Sequence, residues 1–211
     1  MKGVQIKLME KQKTDAHGPV SVDKLLGRFT LIIGDINTGK TTLTQKMLDL
    51  YCLQEGVRAV VVDLAPTIVA SNSKGTTQGI GGMLKVFESP GVRLYHCRIH
   101  APRLNARNER EARKLAAENV RRIESLFESA LSEGAEGLFV NDCSLYLHAG
   151  SAEKFLGWIR SLPTAVVNGY YGSSLGSGPI SDREREGMNH LINRCDRLIR
   201  LKNQSKRTLQ G

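Results

Sequence analysis

Gly34-Asp35-Ile36-Asn37-Thr38-Gly39-Lys40-Thr41 fits the pattern G-x-x-x-x-G-K-[ST] in full. The apolar run Phe29 to Ile33 precedes it and reads as a strand; Thr41 to about Gln54 follows as a helix. The residue types follow from what an anion needs. Two glycines let the backbone wrap a phosphate so that several N–H groups converge on one charge. The helix that begins near Lys40 adds the positive end of its dipole. Lys40 is suited to the β- and γ-phosphates and to neutralising a transferred group, and the Thr41 hydroxyl to a bound Mg²⁺, with Thr42 beside it. The stretch therefore predicts ATP and Mg²⁺ binding by Gly34, Asp35, Ile36, Asn37, Thr38, Gly39, Lys40, Thr41 and Thr42.

Outward from the loop, short β-branched runs alternate with helical patterns. Val57–Val62, Val92–Ile99, Leu138–Val140, Thr164–Val167 and Arg197–Leu201 read as further strands. Apolar residues at three-to-four spacing predict one long helix from about Asn105 to Glu133, then helices over Ser151–Ser161 and Asp182–Arg194. The expected fold is α/β, a three-layer P-loop NTPase with a mostly parallel central sheet. Its boundaries are an arm or lead-in strand at 1–28, the domain at 29–203 and a basic tail at 204–211. In such sheets ligands bind beyond the carboxyl ends of the strands. Asp142, closing Leu138-Phe139-Val140, reads as a metal carboxylate there. Asp63, closing Val60-Val61-Val62, reads as holder of the metal's water or as general base toward an attacking hydroxyl. Either acid is also a reasonable helix N-cap.

Several nucleotide-binding classes are disfavoured. Asp35 stands where dimerising partition-type ATPases carry an additional lysine. No His-Arg-Asp or Asp-Phe-Gly accompanies the loop, which excludes a protein kinase. The guanine-reading Asn-Lys-x-Asp is missing, so nothing supports GTP, although GTP is not excluded. With 40% hydrophobic residues in 211, the chain has material for a core and is not wholly disordered. Its apolar runs are too short to span a bilayer, and Met1-Lys2-Gly3-Val4 opens no signal peptide, so no membrane is expected and the location is read as cytoplasmic. Thirty Lys+Arg against 21 Asp+Glu give +9, which raises the prospect of an anionic partner such as RNA or another nucleic acid. Cys52, Cys97, Cys143 and Cys195 form no close pair, and His96 and His100 have no neighbouring ligands, so no zinc site is expected.

The order of motifs resembles a known family. After the loop come Val61-Val62-Asp63-Leu64-Ala65-Pro66, a glycine-rich segment, a strand leading to Ala101-Pro102-Arg103-Leu104-Asn105, and then Gly137-Leu138-Phe139-Val140-Asn141-Asp142-Cys143. This looks like the P-loop domain of the polynucleotide 5′-hydroxyl kinases of RNA processing, in a reduced, stand-alone form. The resemblance implies that Lys40 and Thr41 hold ATP and magnesium and that Asp63 matches the first acid of an Asp-x-Asp pair. Ala65 stands in place of the second acid. It further implies a lid with paired arginines, for which Arg183 and Arg185 are nearest, although their acid-rich helix also reads as a solvated face. Arg103 is a candidate phosphate clamp, and Tyr170 and Tyr171 are candidates for base stacking or for core. Ser71–Gly82 reads as a substrate-sensing switch or as a plain surface connection, and Trp158 as core. The expected activity is phosphorylation of a nucleic-acid 5′-hydroxyl. The alternatives are a nucleotide-dependent switch or accessory NTPase that hydrolyses ATP or GTP slowly and acts on an unknown protein partner, and a nucleotide-binding scaffold without turnover.

Overall fold

Aliphatic and β-branched runs become strands because their side chains pack well on a pleated, enclosed surface. The computed structural model describes residues 21–66, 82–86, 90–132 and 134–202. Among these, six strands form one sheet: β1 (Phe29–Gly34), β2 (Ala59–Asp63), β3 (Val92–His96), β4 (Gly137–Asn141), β5 (Thr164–Tyr170) and β6 (Arg197–Leu201). Their spatial order is β3-β2-β4-β5-β1-β6, and every pairing is parallel. All residues of β1, β2, β4 and β5 are buried, whereas the edge strands β3 and β6 are partly exposed. Edge charges such as Arg93 and Arg200 suit that position, since a charged edge resists pairing with another chain.

Period-two alternation sends the side chains of each central strand to two different cores. Leu31, Ile33, Val60, Val62, Leu138, Val140, Ala165 and Val167 share one cluster with residues of α3 (Glu109–Leu131), α4 (Ser144–Leu147), α5 (Ala152–Arg160) and α6 (Pro179–Ile192). Ile32, Val61, Phe139, Val166 and Ile199 pack on the opposite face against Met47, Leu48 and Tyr51 of α1 (Lys40–Cys52). Helices on both faces of the sheet give three layers. Trp158 is packed at the margin of the first core, its ring stacked on Phe127 with centroids 4.4 Å apart.

Several boundaries differ from the sequence reading. The helix expected over Asn105–Glu133 starts later, as α3 at Glu109, and a separate short helix α2 (Pro102–Asn105) precedes it, because Ala106 turns extended and Asn108 caps a new start. The Asn108 side chain accepts from Glu111 N at 2.9 Å, satisfying one of the orphan donors of the first turn. β5 continues three residues beyond Val167, so Asn168-Gly169-Tyr170 is strand. Gly169 permits this, since a Cβ there would lie 2.8 Å from the Cys143 sulfur. The short helix α4 had no sequence signal. Of the expected 1–28 arm, the described part includes a 3-10 turn, Val22–Lys24, and Leu25, which is wholly buried in the α1-side core. The rest of the arm, Ser71–Gly81 of the glycine-rich stretch and the tail at 204–211 lie outside the described residues.

Candidate functional site

β1 ends at Gly34, and the next residues turn sharply into α1. Two residues of the turn, Asn37 (φ 57) and Gly39 (φ 87), are left-handed, a conformation that asparagine tolerates and glycine adopts without strain. Gly34 is needed for space: a Cβ would come within 2.6 Å of Thr38 Oγ1 and 2.7 Å of the Leu201 carbonyl. Gly39 places no side-chain cap on α1, so the first-turn N–H groups of a 13-residue helix stay open to an anion. The Lys40 ammonium donates to the Asp35 carbonyl at 2.6 Å, which folds it along the loop. Burial lowers its pKa, while the carboxylates of Asp142 and Asp35 oppose that.

The loop forms part of the wall of a cavity of about 670 Å³ at the carboxyl end of the sheet. Ile36, Asn37, Thr38, Gly39, Lys40, Thr41 and Thr42 all line it, together with Asn141 and Asp142. Gly34 and Asp35 do not line it. Asp35 instead points to the chain after β5, accepting from Ser173 N at 3.2 Å and Ser174 Oγ at 2.8 Å as well as from Ile36 N. Its slight burial alone would raise the pKa, yet these hydrogen bonds outweigh it and hold the carboxyl below its usual range. The one carboxylate within the Gly34–Thr41 loop is thereby tied away from the cavity.

The two acids of the sequence reading occupy different places. Asp63 is 1% exposed and lies behind the cavity wall. Its carboxylate accepts from Ala65 N at 2.9 Å, Leu84 N at 2.6 Å and Asn141 Nδ2 at 3.0 Å. Asp142 lines the cavity at a left-handed φ of 58 and accepts from Ser144 Oγ at 2.5 Å. Burial raises its pKa; Ser144 and Lys40 pull it back, Glu184 pushes it further up and His148 opposes that. Asp142 thus sits electrostatically between Lys40 and a second polar group on the same cavity.

Asn141, which sequence reasoning passed over for its neighbour, joins these parts. Register pairs it with Asp63, so their side chains meet across β2 and β4. Its Oδ1 accepts from the Thr41 hydroxyl at 3.1 Å and from Asn168 Nδ2 at 2.9 Å; its Nδ2 donates to Asp63 and, at 2.8 Å, to the Gly82 carbonyl. Asn168 also donates to Thr44 Oγ1 at 2.8 Å and accepts from Asp142 N at 3.0 Å. The buried network is fully satisfied, which makes it rigid and unforgiving of substitution. At its margin the Thr41 hydroxyl and the Asp142 carboxylate are hard oxygen donors that suit magnesium, which takes one or two protein ligands beside phosphate and water. Among the described residues no group of three or more His, Cys, Asp and Glu is placed to hold a metal by itself.

Other expected contacts are rearranged. Arg183 donates to the Ala149 carbonyl at 2.8 Å, and Arg185 to the Gly172 carbonyl. α6 is not uniformly solvated: Glu184 is 4% exposed and meets both Arg103 and His148. The signal was present, because Ile180, Glu184, Met188 and Leu191 recur on one helical face. Both tyrosines lie beside guanidinium groups, Tyr170 by Arg103 and Tyr171 by Arg185 and Arg200. No described helix is long and apolar enough to cross a membrane. No family model matches the chain, and comparison with curated proteins finds no match.

Proposed function

We propose that the chain binds a magnesium nucleoside triphosphate, ATP in the first instance, and transfers its γ-phosphoryl group to an acceptor, a nucleic-acid 5′-hydroxyl being the one its motif order suggests. The observation that carries this reading is the union of Gly39, Lys40 and the uncapped start of α1 with Thr41 and Asp142 on one cavity. Open N–H groups and the Lys40 ammonium offer a positive concavity of the size a nucleotide requires. Magnesium would rest on Thr41 and Asp142 and would neutralise phosphate charge. Lys40 then leaves the Asp35 carbonyl for the phosphates. Asp63, enclosed and triply hydrogen-bonded, acts as a positioning residue that orients Asn141 and through it Thr41. Such a reaction is mainly positioning and electrostatics, so a short set of groups suffices.

One observation favours a second reading, the nucleotide-dependent switch. The last residue of the glycine-rich stretch, Gly82, and Leu84 just beyond it hydrogen-bond to Asn141 and Asp63, and Asn141 touches Thr41. A ligand on the Thr41 hydroxyl would compete with Asn141 for it and so bear on that segment. The experiment mixes protein, Mg²⁺, γ-labelled ATP and 5′-hydroxyl RNA and DNA oligonucleotides, with Lys40→Ala as control. Label on an oligonucleotide supports transfer; free phosphate alone, or tight binding without turnover, favours the switch. Unchanged ATP affinity in Lys40→Ala rejects both.

A further inference from the structure

The same cavity holds a second polar group that the phosphate loop does not use. Arg103, from α2, is 11% exposed at its side chain and ion-pairs through Nη2 with Glu184 of α6. Among the described residues its Nε and Nη1, both buried, have no hydrogen-bond partner. His148, just after α4, is 3% exposed at its side chain, and its Nε2 lies 3.3 Å from the other Glu184 oxygen. A carboxylate only accepts, so Nε2 carries a proton, and in the neutral imidazole that leaves Nδ1 as the acceptor. Nδ1 too is buried and has no partner among the described residues. Buried polar groups are nearly always satisfied, because a stranded one forfeits its hydration with nothing in return. Three stranded atoms on two residues that line one cavity therefore point to a ligand.

We infer that Arg103 and His148 form a subsite for a hydroxyl-bearing oxyanion, such as a phosphomonoester that keeps one P–OH, carried by the acceptor of the reaction proposed above; a nucleic acid offers such a group only as a terminal phosphate, since its internal diesters have no P–OH. The donors and acceptor match it in kind. Two guanidinium N–H groups donate to anionic oxygens, and the imidazole lone pair accepts the hydroxyl proton. Glu184 holds both residues in place and balances the arginine's charge while the subsite is unfilled. The Tyr170 ring, centred 5.3 Å from the guanidinium carbon, supports it further. Asp142, electrostatically coupled to Lys40, Glu184 and His148, connects the two halves of the cavity. The inference rests on the nucleotide reading only for the word acceptor; the anion site stands on its own groups.

Calorimetric titration with inorganic phosphate, and with sulfate in parallel, tests it in two backgrounds. The first is wild type saturated with Mg²⁺ and a non-hydrolysable ATP analogue; the second is Lys40→Ala without nucleotide, which keeps the subsite readable if the analogue fails to bind. One phosphate site is expected, preferred over sulfate, which has no O–H for His148. The double variant Arg103→Gln/Glu184→Gln removes both charges together and is expected to weaken phosphate binding by about tenfold or more. His148→Leu is expected to abolish the preference for phosphate over sulfate. Failure of the analogue to bind while phosphate still binds would reject the nucleotide reading alone. Absence of phosphate binding in both backgrounds, or binding indifferent to the double variant, would overturn the subsite.

Discussion

Asn141→Asp replaces an amide by a carboxyl of the same shape and tests the polar network at its centre. The acceptor side survives, since one oxygen still receives Thr41 and Asn168. The donor side inverts, and the 3.0 Å contact from Nδ2 to Asp63 becomes an approach of two carboxyl oxygens. At that separation two full charges would repel by about 5 kcal/mol at an effective dielectric near 20. Taking up a proton is the milder escape. Holding a carboxyl protonated at pH 7 against its free value of about 3.9 costs about 4 kcal/mol. A group whose folded pKa is raised costs nothing below its unfolded value and destabilises increasingly as pH climbs toward the folded one. The variant's deficit is therefore expected to be about 4 kcal/mol at pH 7 and about 1.5 kcal/mol at pH 5, apart from a pH-independent part for the donor lost to Gly82. Urea unfolding of both proteins at the two pH values measures it, since the wild type's own pH dependence cancels in the difference. A deficit of equal size at both pH values would refute the carboxylate contact and with it the network.

Other outcomes follow from single contacts. Lys40→Ala should leave the melting temperature within a few degrees and weaken ATP binding by about 100-fold, as loss of a charge-assisted phosphate contact implies; fluorescent-nucleotide titration reads it. Asp142→Asn should make the protein equally or more stable at pH 7, because burial holds the native carboxyl's pKa up, while Mg²⁺-dependent nucleotide binding falls; thermal melts with and without Mg²⁺·ATP separate the two. Asp35→Asn should be less stable than wild type near neutrality. The gap should close in acid, since the depressed pKa contributes stability above the unfolded value that is lost as pH falls through the folded one. Gly34→Ala should cost about 1–3 kcal/mol in urea unfolding, because its methyl meets Thr38 and the backbone of β6.

Local chemistry wrote much of this protein openly. A loop that must turn left-handed at Gly39 and present Lys40 at a helix start needs those residues in that order, so its position between β1 and α1 was readable from the chain alone. Alternating strands and amphipathic helices likewise announced a covered parallel sheet, because period-two and three-to-four spacing report directly which faces are buried. Asp142 was legible as a carboxylate at the sheet's ligand edge for the same reason.

What remained hidden depended on register and on which distant residues share an enclosure. Only the pairing of β2 with β4 sets Asn141 against Asp63, and only strand order sets β5, with Asn168, between β1 and β4. A residue's type says that it can hydrogen-bond, not with whom, and partners 78 residues apart in the chain leave no local trace. The burial of Glu184 was half-written in its helical face, but its partners Arg103 and His148 come from other elements and meet it only when α2, α4 and α6 close on one cavity. The loop and the layers follow from short-range sterics and burial; the polar network and the paired residues beside it are decided by tertiary packing, because the desolvation that binds them exists only once the core has closed.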